Sequence, residues 1–361
     1  MATYHCSIKN GKTGNAKRHC EYILREGSYA NGAKKEELVY KQFGNLPDWS
    51  AKPTDFFAAA DLYERKDGNA YTEFEIALPS ELTLEENIKL VQRFVEENVG
   101  NNKAYCFAIH EKNAALDNDK RQPHAHIMFS ERIIENKQNV KPDYQFFKRY
   151  NKKYPERGGY KKDDRFTAKN GAGPQNVLKV RKSLERIINE AYEKNGIDAR
   201  VSCKSLRDLR SEAMLKNDKE QFDFYDRPAQ NHLGPKLANQ MKKQMKKPDF
   251  KFEHLSDKAR LYVLSKEIKT TCEEIKKYQN VIKELRELEA HEKLNLVNLK
   301  ADLSGKTVEE ITLDGKKFAD RLYSSAFAIG NKVKENNQSI QLTQKLILTD
   351  DRIHKIALSV Y

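Results

Sequence analysis

Cysteine is scarce in this 361-residue sequence and stands in no arrangement that would organise a fold or a metal site. The five cysteines are Cys6, Cys20, Cys106, Cys203 and Cys272. Their number is odd and no two form a Cys-x-x-Cys pair, so neither a disulfide framework nor a zinc finger is indicated. We therefore expect a reducing cytoplasm, in which the cysteines are ordinary small residues.

Long apolar runs are also missing. No stretch reaches the roughly 18 apolar residues that suggest a transmembrane helix. The N-terminal residues from Met1 to His5 do not lead into the basic and apolar segments of a signal peptide. The sequence thus predicts no membrane insertion and a cytoplasmic location.

Positive charge is what the sequence has in excess. Its net charge is +13, and with 33% charged and 38% hydrophobic residues it is polar for a single compact globule. A cationic excess favours an anionic partner, and nucleic acid is the commonest one. The length fits two domains, or one domain with a long appendage.

Residues 1–200 are predicted to form an α+β domain. Alternating or apolar patterns predict strands at Thr3–Ile8, Tyr71–Leu78, Ala104–His110 and His124–Ser130. The last two are consecutive and should pair as a hairpin. Thr83 and Glu86 form a capping box ahead of a helix that ends at Gly100. An antiparallel sheet with helices packed on one side is the simplest architecture for these elements.

The remaining sequence is predicted to be helical or basic. A helix from Gln175 to Asn195 closes the α+β domain. Residues 201–254 are expected to be a basic extension or linker, and residues 255–361 a helical C-terminal region. In that region apolar residues from Leu261 to Leu285 recur at steps of three and four, which predicts a coiled coil or a helical hairpin.

The sharpest chemical signal is the pair His124 and His126. Residues two apart on a strand project to one side, so both imidazoles can bind one metal ion. The predicted hairpin would bring His110, which ends the preceding strand, beside them. Three histidines leave positions on a metal open, as a catalytic site requires. Imidazole ligands alone leave Mn, Mg, Zn, Co and Ni as candidates.

Two acidic residues, Glu73 and Glu75, share one face of the strand at residues 71–78. If that strand neighbours the histidines, a carboxylate there could orient a metal ligand or accept a proton from a nucleophile. A solvated strand face would produce the same pattern, so spacing alone does not assign them a role.

Basic and aromatic residues interleave between residues 137 and 170. Single-stranded DNA is bound in this way, with bases stacked on rings and phosphates beside cations. A solvated loop whose aromatic residues pack on the core explains any single position equally well. The candidate DNA contacts in this segment are Lys148, Arg149, Tyr150, Lys152 and Lys153.

Several segments, in order and with similar gaps, resemble a known family. They are Cys20–Tyr29, Ala60–Arg65, Phe74–Thr83 and Pro123–Arg132, with further similarity at Trp49 and Phe147–Asn151. Together they resemble the MobA/MobL family of plasmid mobilisation relaxases, which belong to the HUH endonucleases. The resemblance fades after Pro235.

This resemblance implies a fold and a set of site residues. The fold is an HUH-type five-stranded antiparallel sheet with packed helices and with the His-x-His strand at its centre. The metal ion would be Mn²⁺ or Mg²⁺. The implied residues are Tyr22 as nucleophile, His110, His124 and His126 as metal ligands, and Glu75, with Glu73 as companion, as the active-site carboxylate.

The resemblance also implies an activity, site- and strand-specific nicking of DNA at a plasmid transfer origin. A tyrosine would form a 5′-phosphotyrosyl ester, which later reverses to reseal the strand. Tyrosine, with an ordinary pKa of about 10, needs a metal-activated phosphate or a base to react at neutral pH. Expected partners are single-stranded or hairpin origin DNA, accessory relaxosome proteins and a type IV secretion coupling protein.

Alternatives to this interpretation stay open. Tyr29 lies about two helical turns beyond Tyr22 and could replace it as nucleophile. Tyr150 and Lys153 fit the Tyr-x-x-Lys motif of rolling-circle replication initiators. A non-catalytic DNA-binding scaffold, or a metal-dependent hydrolase that uses water, would form no covalent adduct with DNA.

Overall fold

A computed structural model describes residues 4–31, 37–114, 117–167, 172–229 and 233–303. The chain divides into two compact units between Lys204 and Ser205. The part of the predicted C-terminal helical region beyond Leu303 lies outside the described residues. No described helix is both long and apolar enough to cross a membrane.

The first unit contains a sheet and the helices that cover it. Its strands are β1 (Cys6–Lys12), β2 (Glu37–Gly44), β3 (Asn69–Ala77), β4 (Tyr105–Ala114) and β5 (Asp117–Phe129). Its helices are α1 (Ala16–Leu24), α2 (Pro53–Tyr63), α3 (Leu84–Asn98), α4 (Asp143–Phe146), α5 (Asp164–Thr167) and α6 (Ala172–Lys194). Short 3₁₀ turns lie at Gly27–Tyr29 and Pro155–Arg157.

The five strands form one antiparallel sheet in the order β1-β3-β5-β4-β2. This confirms the α+β class and the five-stranded sheet, and it puts the His-x-His strand, β5, at the centre. β4 and β5 pair as the predicted hairpin. Their ladder extends beyond the predicted strand ends, since Glu111 lies opposite Pro123 and Asn113 lies opposite Arg121.

Helices cover both faces of the sheet, so the expectation that they lie on one side is wrong. On one face Phe74, Phe107 and Ile127 pack against α3 and α6. The opposite face carries Cys106 and Met128, which pack with residues of α1 and α2. Successive side chains of a central strand point to opposite faces, so apolar residues on both faces require a helical layer on each.

The capping box at the start of α3 is present as predicted. The Thr83 hydroxyl accepts a hydrogen bond from the Glu86 backbone N–H, and the Glu86 carboxylate accepts one from the Thr83 N–H. These bonds satisfy two backbone donors that the first turn of a helix leaves open.

A buried arginine holds the segment that follows β5. Arg132 is 3% exposed and donates hydrogen bonds to the Glu64 carboxylate at 2.8 and 3.1 Å. It also donates to the carbonyl oxygens of Lys148 and Tyr160 at 2.9 and 2.6 Å. The chain between residues 147 and 160 is therefore folded around one guanidinium whose charge is balanced by a buried carboxylate.

The second unit is helical where it is described. It contains α7 (Leu206–Leu215), α8 (Lys219–Tyr225), α9 (Pro235–Met245), a 3₁₀ turn at Phe252–His254, and α10 (Asp257–Leu303). α7 packs with α8, and α10 contacts α8 and α9. The predicted heptad-like seam from Leu261 to Leu285 lies within α10, one unbroken helix of 47 residues.

Removing the buried cation should be costly for folding. We expect Arg132→Met to lower the free energy of unfolding by about 3–5 kcal/mol, because buried Glu64 would lose its main partner. Urea unfolding measures the loss. Arg149→Met, an exposed cation in the same segment, is the matched control and should change stability by no more than about 0.5 kcal/mol. Equal stability of the two variants would contradict this role.

Candidate active site

Three histidines meet on the face of the sheet that α1 and α2 cover. His110 on β4 lies directly opposite His124 on β5, and His126 follows two residues later on the same face. The three side chains are buried, and one ligand nitrogen from each lies within 4.8 Å of the others. The structure thus brings together the three histidines that the sequence singled out.

Hydrogen bonds fix which nitrogen of each imidazole can bind a metal ion. His110 Nε2 donates to the Ile23 carbonyl oxygen at 2.8 Å, and His124 Nδ1 donates to that of Gln122 at 3.1 Å. His126 Nδ1 donates to Glu73 Oε1 at 2.7 Å. Carbonyl and carboxylate oxygens only accept, so in each neutral ring the other nitrogen keeps its lone pair for a ligand bond.

The electrostatics of His110 suit a metal ligand. Burial, and then the nearby His126, lower the pKa of His110 to about 4. The ring is therefore neutral at physiological pH, as ligation requires. A buried cluster of three imidazoles fits a divalent metal ion, which His110, His124 and His126 could hold with positions left open for a substrate.

Glu73 is the carboxylate in contact with this cluster. It is 2% exposed, and besides His126 it accepts a hydrogen bond from His19 Nε2 at 2.9 Å. Burial disfavours its charged form, but the hydrogen bonds from His126 and His19 outweigh that cost and hold the pKa of Glu73 well below its usual range. Glu73 therefore stays anionic and orients His126.

Glu75 occupies a different environment. It lies across from His126 in the ladder between β3 and β5, so it is near the cluster. Its carboxylate pairs with the Lys9 ammonium from β1. Burial raises the pKa of Glu75, and the contacts with Lys9 lower it further than that, so the net shift is downward. The family resemblance ranked Glu75 above Glu73, whereas the hydrogen bond to a candidate ligand belongs to Glu73.

Tyr22 lies beside the histidine cluster. Its ring stands edge-on to His126, with centroids 6.5 Å apart. Arg25 contacts Tyr22 in two ways. Its guanidinium carbon lies 4.6 Å from the centre of the Tyr22 ring, and its Nη1 donates a hydrogen bond to the Tyr22 carbonyl oxygen at 2.7 Å. Arg25 reaches this position from a left-handed backbone conformation with φ of 53°, which is strained for a side chain of its size.

The two alternative tyrosines have different surroundings from Tyr22. Tyr29 packs edge-on against Tyr22, with centroids 5.5 Å apart, and its hydroxyl accepts a hydrogen bond from Arg18 Nε at 2.9 Å. Tyr150 lines a separate cleft with Arg149, and none of the three histidines lines that cleft. Of the three tyrosines, Tyr22 is the one whose ring contacts His126.

His19 is the site residue that the sequence analysis missed. Its ring stacks on Tyr71 and on Tyr22, with centroids 5.1 and 6.2 Å apart, while Nε2 binds Glu73. His19 lies three residues before Tyr22 on α1, and residues three apart on a helix share a face. A predicted α1 would therefore have placed His19 beside Tyr22, but the sequence analysis did not predict this helix.

The basic aromatic segment divides into core and surface. Phe146, Phe147 and Tyr160 are buried in the cluster that also contains α1 and α2 residues. Tyr144 and Tyr154 are exposed, and the ammonium groups of Lys148 and Lys153 lie over their rings. The remaining candidate contacts are outward-facing: Arg149 and Lys152 are exposed and Tyr150 is half-buried.

A model of the MobA/MobL family matches residues 14–219, more than half of the chain. The chain belongs to the MobA/MobL family. The matched range contains Tyr22, Glu73 and the three histidines.

Two sequence relatives agree with this membership. The 43 kDa relaxation protein of Salmonella typhimurium is 42% identical over 209 residues, which are 57% of this chain and 55% of that protein. Mobilization protein A of Escherichia coli is 36% identical over 210 residues, 57% of this chain and 28% of its own length. The match thus spans about half or less of these curated relatives.

Solved structures give more distant likenesses. One, described as the molecular basis of vancomycin resistance transfer in Staphylococcus aureus, covers 56% of this chain and 100% of its own at 22% identity, with a TM-score of 0.40. The conjugative relaxase TrwC in complex with oriT DNA covers 73% of this chain and 99% of its own at 13% identity, with a TM-score of 0.31. The family model alone establishes the membership.

The hydrogen-bonded chain from His19 through Glu73 to His126 predicts graded effects on metal binding. We expect Glu73→Gln to weaken Mn²⁺ binding by about 10–100-fold, because His126 would lose its charged acceptor. His19→Ala should weaken it less, since Glu73 would keep its bond to His126. Titration calorimetry of the purified full chain measures both, with exposed Lys17→Ala on the same helix as control. Wild-type affinity in Glu73→Gln would contradict this orienting role.

Proposed function

We propose that this MobA/MobL protein is a relaxase, which nicks one strand of DNA at a plasmid transfer origin by attack of Tyr22 on a phosphate. The observation that carries the proposal is the contact between the Tyr22 ring and His126, one of the three clustered histidines. A tyrosine beside such a cluster can reach a phosphate bound there. The names of the two sequence relatives, a relaxation protein and a mobilization protein, agree with this activity.

The proposed reaction is a transesterification. The Tyr22 phenolic oxygen forms a bond to phosphorus, and the bond from phosphorus to the 3′-oxygen of the preceding nucleotide breaks. The phenolic proton is given up, and the leaving oxygen takes one up to become a 3′-hydroxyl. The product is a 5′-phosphotyrosyl ester that conserves the phosphoester bond, so the 3′-hydroxyl can later attack it and reseal the strand without ATP.

The residues around Tyr22 would hold the metal ion and keep the tyrosine ring in place. His110, His124 and His126 would hold a divalent metal ion, Mn²⁺ or Mg²⁺, which when bound polarises phosphate oxygens and offsets charge in the transition state. Glu73 keeps His126 oriented, and the contacts with Arg25 and His19 hold the Tyr22 ring. A ring held in place before the substrate arrives loses little freedom on reaction, and this lowers the barrier.

The substrate we propose is single-stranded or hairpin DNA. The net charge of +13 supports an anionic partner. The outward-facing residues of the basic aromatic segment are the proposed DNA contacts: Lys148, Arg149, Tyr150, Lys152 and Lys153. Accessory relaxosome proteins and a type IV secretion coupling protein are proposed partners in the cytoplasm.

The alternative functions make different use of the same fold. A replication initiator that cuts with Tyr150 would need that ring beside the histidines, and its place in the separate basic cleft gives this no support. A hydrolase that uses water, or a non-catalytic scaffold, would leave Tyr22 without a reaction. The strained Arg25 backbone and the ring contacts that hold Tyr22 favour a tyrosine with a role.

Substitution of the nucleophile tests the proposal. Full-length protein with Mn²⁺ is incubated with a labelled single strand that carries the transfer origin of its plasmid, and denaturing gels detect covalent adducts. We expect Tyr22→Phe to lose the adduct while Mn²⁺ affinity stays unchanged, because the phenyl ring keeps its packing but has no hydroxyl.

Tyr29→Phe and Tyr150→Phe are the matched controls, and both should still form the adduct. An adduct that survives in Tyr22→Phe would overturn the assignment of the nucleophile. Cleavage of the strand without any adduct would instead indicate water as the nucleophile.

A further inference from the structure

A second cleft, strongly basic, lies beyond the C-terminal end of β5. Its volume is about 340 Å³, within the size range of small-ligand sites. Five of its lining side chains are cations and one is a half-buried aromatic ring. They are Arg65, Arg132, Arg149, Lys161, Lys162 and Tyr150. It shares no lining residue with the histidine cluster.

The floor of this cleft is held by ion pairs, in which two cations face two carboxylates. Arg132 is bound to Glu64, and Lys162 lies 3.3 Å from the Glu64 carboxylate and 3.4 Å from that of Glu131. Both carboxylates are buried. These ion pairs anchor the chain on either side of the cleft, so the groups on its rim are carried by a fixed support.

The rim carries positive charge that is not balanced in this way. Arg65 follows Glu64 directly and Arg149 follows Lys148, whose carbonyl binds Arg132. Both guanidinium groups are exposed, and among the described residues neither has a carboxylate partner. Lys161 pairs with Asp164 at 2.6 Å. The cations of the cleft therefore outnumber the carboxylates that face them.

The cations that line the cleft repel one another, and a bound anion would offset this repulsion. Burial lowers the pKa of Arg132, contacts with Glu64 oppose this, and neighbouring Arg65 lowers it further. Such a concave, positively charged surface concentrates anions. Guanidinium groups bind phosphate oxygens in a bidentate manner, and a neighbouring aromatic ring offers a face on which a base can stack.

We propose that this cleft is a second DNA-binding site, which takes one nucleotide of the single strand with its phosphate on Arg65 and Arg149 and its base on Tyr150. The inference rests on the proposed function, because it takes DNA as the substrate. Arg132 stands six residues beyond His126, at most about 20 Å along an extended chain. The nucleotide bound in the cleft is therefore at most a few positions away from the scissile phosphate.

Salt dependence of DNA binding tests this site. Fluorescence anisotropy gives the affinity of the full chain for a labelled mixed-sequence single strand over a range of salt concentrations. We expect Arg65→Ala combined with Arg149→Ala to reduce the slope of log affinity against log salt by about 0.7, since the two arginines share one phosphate and each neutralised phosphate contributes about that much. Tyr150→Ala should weaken binding roughly tenfold, with an unchanged slope.

The control removes the same charge from the opposite side of the sheet. Lys89 on α3 and Lys179 on α6 are exposed, and their double alanine variant should keep the wild-type slope. An equal loss of slope in both double variants would mean that total charge acts, and would overturn the cleft. An unchanged slope in the arginine variant would overturn it as well.

Failure of the cleft and failure of the proposed function are separable. Adduct formation at Tyr22 with an unchanged salt slope would leave the relaxase proposal standing and remove the cleft. A reduced slope in the arginine variant, without any adduct in the wild type, would leave a DNA-binding cleft on a protein that does not nick.

Discussion

His110 stands directly opposite His124 in the ladder between β4 and β5, and the site depends on that register. Side chains on a strand alternate between faces, so a slip by one residue would send the histidines of one strand into the apolar layer under α3 and α6. The adjacent pair in the ladder, Ile109 and Ala125, is buried in that layer and resists such a slip. The same packing that stabilises the sheet therefore keeps three imidazoles together.

The register also brings Tyr22 to the cluster. His110 donates a hydrogen bond to the carbonyl oxygen of Ile23, the residue after Tyr22, and so ties the last turn of α1 to the centre of the sheet. Glu73 makes a second connection, since it joins His126 on β5 to His19 on α1. The bonds of His110 to Ile23 and of His126 to Glu73 are buried, and an unpaired partner there would be costly. Helix and sheet thus hold each other in one arrangement, with the Tyr22 ring between them.

Local patterns predicted the parts of this arrangement that depend on neighbours in the sequence. The His-x-His pair, the hairpin with His110 and the capping box at Thr83 all follow from short-range spacing, and the structure contains them. Tyr22 was named by resemblance to a family, since nothing in the local pattern distinguishes it from the other tyrosines.

The roles of the two carboxylates and the burial of the aromatic residues depend on contacts between segments that are distant in the sequence. Glu73 and Glu75 share a face, and their roles differ because Lys9 on β1 pairs with one and His19 on α1 reaches the other. Composition likewise could not separate Phe146 and Phe147, which are core residues, from Tyr144 and Tyr154 on the surface. Helices on both faces of the sheet were missed because neither α1 nor α2 was predicted.

The most direct test of a tyrosine nucleophile at this centre is to locate the covalent bond in the wild-type protein. The adduct with origin DNA would be digested with nuclease and trypsin, and the peptide that retains a nucleotide identified by mass spectrometry. We expect the nucleotide on the peptide from His19 to Arg25, which contains Tyr22 as its only tyrosine. A nucleotide on the peptide from Glu26 to Lys34, which contains Tyr29, or on that from Tyr150 to Lys152, would contradict the account.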